Sequence, residues 1–166
     1  WQDKERRFDH LPLPHVPIDN VATAIKAITL LLPDVSTIDI IHAINKTKVA
    51  GRTELFKANC DVVLDVGHNP LAARYLSQYV KQQSQEKAYT KIHAVAGMLA
   101  DKDIKSTLAE LNADIDAWYV ANLSVPRGAK AQILAESLSL AKGSVNCFDK
   151  VEDAYKSFSK LVYAFS

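Results

Sequence analysis

Residues 61–70 read Asp-Val-Val-Leu-Asp-Val-Gly-His-Asn-Pro, which predicts a strand, a tight turn and the start of a helix. The apolar run at 62–64 is typical of a buried strand. Pro70 is favoured at the first position of a helix, because its missing N–H would have no partner there. Asn69, just before it, can accept a hydrogen bond from the first turn. A strand that leads directly into a helix is the repeating unit of parallel α/β sheets.

The same alternation continues through the rest of the chain. Strands are predicted at 91–96, 117–121 and 144–148, and helices at 70–83, 101–112 (with Asp101 as a candidate cap), 129–141 and 151–163. This order predicts an α/β, Rossmann-like fold, in which a mostly parallel sheet has helices on both faces. The strand at Leu55–Phe56 has only a short connection to the next strand, so we expect it to be the one antiparallel strand.

A helical segment precedes this alternation. Two helices with apolar residues at helical spacing are predicted between residues 18 and 46, and Asp19 or Asn20 can cap the first of them. The polar stretch 46–52 then separates the helices from the strands. We therefore predict a helical segment at 1–50 and an α/β domain at 51–166.

The net charge and the apolar runs of the chain argue against two classes of partner, nucleic acids and membranes. The 166 residues carry 20 Lys+Arg against 19 Asp+Glu, a net charge of +1, with no basic stripe. Proteins that neutralise nucleic-acid phosphates normally carry a basic excess, so we expect no nucleic-acid partner. The longest apolar run, at 28–32, falls far short of the ~20 residues that span a bilayer, so we expect no membrane insertion.

Three residue types indicate the redox compartment, the metal-binding capacity and the completeness of the chain: cysteine, histidine and methionine. Cys60 and Cys147 lie far apart with no C-x-x-C spacing, which is typical of a reduced, cytoplasmic protein. The histidines show no metal-ligand spacing, so we predict no metal site. The chain begins with Trp1 and its only methionine is Met98, so we expect it to be part of a longer polypeptide.

The end of the strand at 61–66 is the first place to look for a ligand, because open α/β sheets bind ligands beyond the carboxyl ends of their strands. Asp65 lies there, and a carboxylate can accept two hydrogen bonds from a ribose diol. His68 can donate to a phosphate or a carboxylate. The turn also fits a purely architectural connection, and spacing alone leaves both interpretations open. The chain has neither G-x-x-x-x-G-K-[ST] nor G-x-G-x-x-G, so it carries no phosphate-binding loop of its own.

Several motifs occur together in an order that points to one family. They are the opening Trp, the proline-rich stretch before Asn-Val-Ala-Thr-Ala at 20–24, the Gly51-Arg52 pair, Asp-Val-Gly-His-Asn-Pro at 65–70, Gly-Met-Leu-Ala-Asp-Lys-Asp at 97–103, Trp118-Tyr119 and Pro-Arg-Gly-Ala at 126–129. In this order they resemble the C-terminal part of the bacterial folylpolyglutamate synthase/dihydrofolate synthase family, within the Mur ligase superfamily. The resemblance covers essentially the whole chain.

The resemblance implies a set of ATP-binding residues. Asn20 would contact the adenine, since an amide side chain both donates and accepts hydrogen bonds. Arg52 would reach the ATP phosphates, which a guanidinium can bind bidentately. Asp65 would hold the ribose hydroxyls, and His68 and Asn69 would line the same cleft. Taken alone, Asn20 also fits a helix cap, and Arg52 fits a solvated linker residue.

A second set of residues concerns the amino-acid substrate. In the superfamily a lysine in the turn at 101–103 approaches the incoming amino acid, so Lys102, beside Asp101, would hold a glutamate carboxylate. Arg127, at the next strand end, is a further candidate for binding a carboxylate. The turn at 101–103 also fits a helix cap with solvated charges.

The reaction of the family is ATP-dependent amide formation through an acyl phosphate. L-Glutamate is added to dihydropteroate, which gives dihydrofolate, or to a reduced folate, which gives its polyglutamate. The resemblance therefore implies ATP and Mg²⁺ as cofactors, and dihydropteroate or folate with L-glutamate as substrates.

The phosphate loop and the magnesium ligands of the family belong to its N-terminal and central parts. Residues 1–50 would then be the helical end of the central ATPase domain, and 51–166 a C-terminal domain truncated at its end. We expect the isolated chain to be inactive. The alternative is a stand-alone, non-catalytic nucleotide-binding or interaction domain of the same fold.

Overall fold

The computed structural model describes residues 1–14, 16–57, 60–138 and 143–164. The helices and strands, in chain order, are α1 (Ile18–Leu31), α2 (Thr37–Lys46), β1 (Glu54–Lys57), β2 (Asp61–Leu64), α3 (Pro70–Lys87), β3 (His93–Ala96), α4 (Ile104–Leu111), β4 (Ala117–Ala121), α5 (Ala131–Ser137), β5 (Ser144–Phe148) and α6 (Val151–Ala164). A short 3₁₀ helix, Asn112–Asp114, follows α4. Within these described ranges no helix combines the length and the apolar character that crossing a membrane requires.

The chain divides into two compact units. The first unit consists of Trp1–Phe56 together with Val63–Val66, and the second consists of Lys57–Val62 and the chain from Gly67 onward. The first unit contains α1 and α2, and the second contains the parallel sheet and the helices that cover it.

The first unit has a small apolar core. It is formed by Phe8 before α1, Ile25 on α1, and Ile40 and Ile44 on α2. The start of α2 is capped by Ser36, which accepts the backbone N–H of Asp39, and the Asp39 side chain in turn accepts the N–H of Ser36.

The start of α1 differs from the prediction. The helix begins at Ile18, directly after Pro17, and no side chain caps it. Asn20 lies inside the first turn, where its backbone N–H donates to the carbonyl oxygen of Pro17 at 3.0 Å. Neither Asp19 nor Asn20 is therefore the cap, because the fixed φ of Pro17 already sets the direction of the chain at this point.

The second unit is built on a parallel sheet with the order β3-β4-β5. His93 pairs with Ala117, and Ala117 pairs with Ser144, so that all three strands run in the same direction. The carboxyl ends of the three strands therefore lie at one edge of the sheet. This arrangement confirms the predicted parallel α/β fold.

The central strand, β4, shows why helices cover both faces of the sheet. All five of its residues are buried. Trp118 and Val120 pack in a core with Leu108 of α4 and Leu134 of α5. Ala117, Tyr119 and Ala121 point to the other face and pack with Ala154 of α6. Because successive strand residues point to opposite faces, a fully apolar strand needs a helical layer on each side.

The sequence predicts one mostly parallel sheet that includes the hairpin strands, and the structure places these strands in a sheet of their own. β1 and β2 form a two-stranded antiparallel sheet of their own, and the described strand pairings do not join β2 to β3. The predicted antiparallel strand is thus present. The five strands, however, are divided between two sheets.

Helix bounds follow local capping. Asn69 caps α3 by accepting the N–H of Ala72 at 2.9 Å, and Pro70 is its first residue, both as predicted. α4 begins later than predicted, because Asp103 rather than Asp101 accepts the N–H of Ser106. α5 is shorter than predicted, and residues 139–141 of its predicted range lie outside the described residues.

A tight turn precedes β1 in the first unit. Gly51 has φ +67°, in the left-handed region, and its carbonyl oxygen accepts the N–H of Val66 at 2.8 Å. A Cβ atom on Gly51 would lie 2.9 Å from Cγ1 of Val66. Both the backbone conformation and the space therefore require glycine at this position.

The core between the sheet and α5 gives a first prediction. Leu134→Ala should lower the free energy of unfolding by about 2–5 kcal/mol, because it opens a cavity at a fully buried position. The neighbouring Ile133 is exposed, so Ile133→Ala should cost about 0.5 kcal/mol or less. Urea unfolding followed by circular dichroism measures both, and equal losses would contradict the packing described for β4.

The turn at Gly51 gives a second prediction. Gly51→Ala should cost about 1–2 kcal/mol for the left-handed backbone and about 1–3 kcal/mol more for the contact with Val66. The double variant Gly51→Ala/Val66→Ala should recover only the contact part. A double-mutant cycle with Val66→Ala, measured by urea unfolding, separates the two costs. Full recovery in the double variant would contradict the left-handed conformation at Gly51.

Candidate functional site

Asp65 lies just beyond the carboxyl end of β2 and is held by the turn before β1. Its side chain is only 8% exposed. One carboxylate oxygen, Oδ2, accepts the backbone N–H of Thr53 at 2.8 Å, and the other, Oδ1, lies 3.9 Å from Nη1 of Arg52. The structure thus brings together Arg52 and Asp65, two residues that the sequence analysis selected separately. A largely buried carboxylate of this kind needs hydrogen-bonding and charged partners to offset its loss of hydration.

The backbone hydrogen bonds of this turn fix the position from which the side chain of Arg52 extends. The N–H of Arg52 donates to the carbonyl oxygen of Val49 at 3.1 Å, and Glu54 accepts the N–H of Gly51 at 2.9 Å. Thr53 has φ +42°, a strained value for a residue with a branched side chain. The side chain of Arg52 remains 35% exposed.

Asn20 lies elsewhere in the first unit. It lines an open groove of about 510 Å³ between α1 and α2 whose other walls are almost entirely apolar. A flat apolar group with polar edges, such as a purine base, suits a groove of this composition. The contact of Asn20 with adenine stays a prediction.

His68 and Asn69 lie in the second unit, just before α3. The side-chain oxygen of Asn69 caps α3, and His68 is exposed in the turn before it. The architectural role of Asn69 is therefore established by its hydrogen bond. The nucleotide-binding roles of His68 and Asn69 stay predictions.

Two loops at the carboxyl edge of the parallel sheet are joined into one surface, which we call the two-loop platform (residues 97–102 after β3 and 122–129 after β4). The N–H of Ala129 donates to the carbonyl oxygen of Met98, and the N–H of Ala100 donates to that of Arg127, each at 2.8 Å. Leu99 and Gly128 form an antiparallel bridge between them. The loops therefore hold each other in place as two paired strands do.

Gly128 allows the platform to close. A Cβ atom there would lie 1.9 Å from the carbonyl oxygen of Leu123, a backbone atom that cannot move aside without shifting the loop. The N–H of Gly128 also donates to the carbonyl oxygen of Val125 at 2.8 Å, which forms a turn just before the bridge. Arg127 is carried on this turn, so its Cα position is fixed by backbone contacts on both sides.

The charged side chains of the platform meet at Asp101. Its Oδ2 accepts a hydrogen bond from Nη1 of Arg127 at 3.0 Å and lies 3.8 Å from Nζ of Lys102. The three side chains are 44% (Asp101), 67% (Arg127) and 30% (Lys102) exposed. All three substrate candidates from the sequence are therefore in one cluster, and Asp101 links the two loops instead of capping α4.

Asp103 has the capping role instead. Hydrogen bonds from the hydroxyl and the backbone N–H of Ser106 hold the pKa of the Asp103 carboxyl below its usual range. Asp103 is thus committed to the start of α4, while Asp101, two residues earlier, serves the platform.

Two residues that build these sites were missed from the sequence. Thr53 supplies the N–H that holds Asp65, and a threonine in the left-handed region leaves no sequence signal. Asn122 accepts the N–H of Ala131 at 2.8 Å and donates to Asp149 at 3.3 Å, so it fixes the loop that carries Arg127. Its position just after β4, like that of Asp65 after β2, was the available signal.

The described residues offer no metal centre. No group of three or more His, Cys, Asp or Glu side chains in these ranges is arranged to hold a metal ion. The charged groups described so far are a guanidinium beside a carboxylate in the first unit, and a cluster of two cations and one carboxylate on the platform.

Comparison with known proteins places this architecture in a family. Residues 51–163 match the family described as "Mur ligase, glutamate ligase domain". The dihydrofolate synthase/folylpolyglutamate synthase of Escherichia coli K12 is 39% identical over 155 residues, which cover 93% of this chain and 35% of that protein.

Solved structures agree with the sequence comparison. A bifunctional folylpolyglutamate synthase/dihydrofolate synthase with Mn, AMPPNP and L-glutamate bound superposes with a TM-score of 0.83 at 39% identity, covering 96% of this chain and 37% of that one. The Escherichia coli enzyme in complex with DHPP and ADP gives a TM-score of 0.80 at 38% identity, covering 94% and 36%.

The chain thus spans little more than a third of the relatives it matches. The match nevertheless runs through the whole of the parallel sheet and both loops of the platform. The chain belongs to the Mur ligase family and carries its glutamate ligase domain.

Proposed function

We propose that this chain is the C-terminal part of an ATP-dependent ligase that adds L-glutamate to dihydropteroate and to reduced folates. The observation that carries the proposal is the two-loop platform, because it presents two cationic side chains at the carboxyl edge of the sheet, where such folds bind ligands. The relatives with bound AMPPNP, glutamate and DHPP support the same substrates.

The reaction proceeds in two steps. The carboxylate of the pterin substrate attacks the γ-phosphorus of ATP, which forms an acyl phosphate and releases ADP. The amine of L-glutamate then attacks the acyl carbon, phosphate leaves, and the amine nitrogen loses a proton to give the amide. The protein contributes mainly by positioning the reactants and stabilising charge, since both steps transfer groups between substrates.

The first unit would contribute to nucleotide binding. Arg52 would bind phosphate oxygens of ATP, since its side chain is partly exposed and its backbone is fixed by the turn. Asp65 would accept hydrogen bonds from the ribose hydroxyls. Asn20 would contact the adenine. His68 and Asn69 are also proposed to contact the nucleotide.

The platform would bind L-glutamate. Arg127 and Lys102 would each take a carboxylate oxygen, the first as a planar fork and the second as a point charge. Asp101, between them, belongs to the same site.

The remaining parts of the ligase would lie outside these residues. Mg²⁺, which balances the charge of ATP, and the phosphate loop would be held by the rest of the polypeptide, with residues 1–50 as the end of its central ATPase domain and 51–166 as its C-terminal domain. We place the enzyme in the cytoplasm, acting on small molecules and not on nucleic acid or membranes.

Nucleotide binding gives the third prediction. In a full-length ligase that contains this segment, Arg52→Ala and Asp65→Ala should each raise the KM for ATP or lower kcat by about tenfold to a hundredfold, because each removes a charge-assisted hydrogen bond of about 1.5–3 kcal/mol. Arg74→Ala removes an arginine whose partner is the surface residue Glu110, and should leave both constants unchanged. Unchanged kinetics for Arg52→Ala and Asp65→Ala would mean that this turn is purely architectural.

Catalytic completeness gives the fourth prediction. The isolated 166-residue chain should neither hydrolyse ATP nor form a glutamate amide, since the phosphate loop and the metal ligands are assigned to the rest of the ligase. Phosphate release from ATP in the presence of Mg²⁺, dihydropteroate and L-glutamate measures this directly. Turnover would contradict the proposed division of labour. Nucleotide binding without any effect of glutamate would favour the stand-alone binding domain.

A further inference from the structure

We propose that Asp101 recognises the ammonium group of the amino-acid substrate, so that the two-loop platform selects a zwitterionic amino acid over a simple dicarboxylate. This inference rests on the proposed function, because it assigns a further role within the same glutamate site. The Asp101 carboxylate is shared between two cationic neighbours, Arg127 and Lys102.

Only one oxygen of Asp101 is engaged. Both Arg127 and Lys102 approach Oδ2, at 3.0 and 3.8 Å, while Oδ1 has no hydrogen bond to any residue in the described part of the chain. A carboxylate can accept about four hydrogen bonds, so most of its capacity remains available. With the side chain 44% exposed, an ammonium group can reach that oxygen from solvent.

The two cations are also only partly engaged. Arg127 donates one hydrogen bond through Nη1, and at 3.8 Å the ammonium of Lys102 is beyond hydrogen-bond distance from Asp101. In the described residues neither side chain has another acceptor. Arg127 therefore keeps four of its five N–H donors, and Lys102 keeps all three, for carboxylate oxygens of a ligand.

The order of charges on the platform is complementary to the order of charges on glutamate. Arg127, Asp101 and Lys102 present positive, negative and positive groups, and glutamate carries a negative carboxylate, a positive ammonium and a second negative carboxylate. A surface with two cations alone would bind glutarate, the same five-carbon diacid without the amine, at least as well. The carboxylate of Asp101 supplies the difference, because it attracts the amine and repels a molecule that lacks one.

A purely structural role for Asp101 is a weaker explanation. Ion pairs between exposed side chains contribute little to stability. The platform is already closed by backbone hydrogen bonds at Ala100 and Ala129 and by the tight packing at Gly128. The Asp101 carboxylate is therefore not required to hold the loops together, and it lies on a surface whose backbone is fixed without it.

The fifth prediction compares Asp101→Asn with Asp103→Asn in the full-length ligase. Both variants remove one negative charge from the same turn, and Asp103→Asn keeps an oxygen that can cap α4. The KM for L-glutamate and the inhibition constant of glutarate are measured for each. Asp101→Asn should raise the KM for L-glutamate at least tenfold and leave the glutarate constant unchanged or lower. Asp103→Asn should change neither by more than about twofold.

Different results separate the inference from the proposed function. Equal weakening of glutamate and glutarate in Asp101→Asn would overturn the inference, since Asp101 would then act only by placing Arg127. An unchanged KM for glutamate in Asp101→Asn would overturn it as well. If Lys102→Ala and Arg127→Ala leave both constants unchanged, the platform is not the carboxylate site and the proposed function of this surface fails.

A binding readout keeps the test informative if a variant loses turnover. Saturation-transfer NMR with L-glutamate and with glutarate reports their relative affinities without catalysis, and thermal unfolding shows that each variant is folded. A selective loss of glutamate binding by folded Asp101→Asn supports the inference. Retained preference for glutamate over glutarate overturns it.

Discussion

The complete burial of β4 is the constraint on which the second unit depends. Trp118 and Val120 need one apolar layer, and Tyr119 with its alanine neighbours needs another, so helices must cover both faces. Those helices are connected to parallel strands, and every connection that leaves a strand at its carboxyl end begins at the same edge of the sheet. The burial of one strand thus determines where polar loops can gather.

At that edge the two-loop platform brings charged side chains of two loops together. Its loops are joined by backbone hydrogen bonds and by the close approach at Gly128, so that the charged side chains start from fixed positions. The first unit uses a related device at Asp65, where a carboxylate beyond a strand holds the turn that carries Arg52. In both places hydrogen bonds fix the backbone that carries an arginine, so that the proposed ligand contacts would need little further ordering on binding.

Periodicity and turn residues predicted most of the fold from the sequence. The cap and first residue of α3, the three parallel strands and the antiparallel hairpin all follow from local rules at Asn69, Pro70 and the apolar strands. Local rules were wrong where a long-range or neighbouring contact competes: Asp101 pairs with Arg127 across 26 residues and leaves the cap to Asp103. The division of the strands between two sheets depends on tertiary pairing, which strand patterns do not encode. The left-handed conformation of Thr53 also depends on a distant partner, Asp65.

We propose that this chain carries two ligand surfaces, one for a nucleotide and one for an amino acid. Amide chemical shifts of the ¹⁵N-labelled 166-residue chain test it most directly, with ATP and L-glutamate added in separate titrations. We expect L-glutamate to shift the amides of residues 97–102 and 122–129, and ATP to shift those of 51–53 and 65–69. Glutamate shifts confined to other parts of the chain, or ATP shifts confined to the platform, would contradict it.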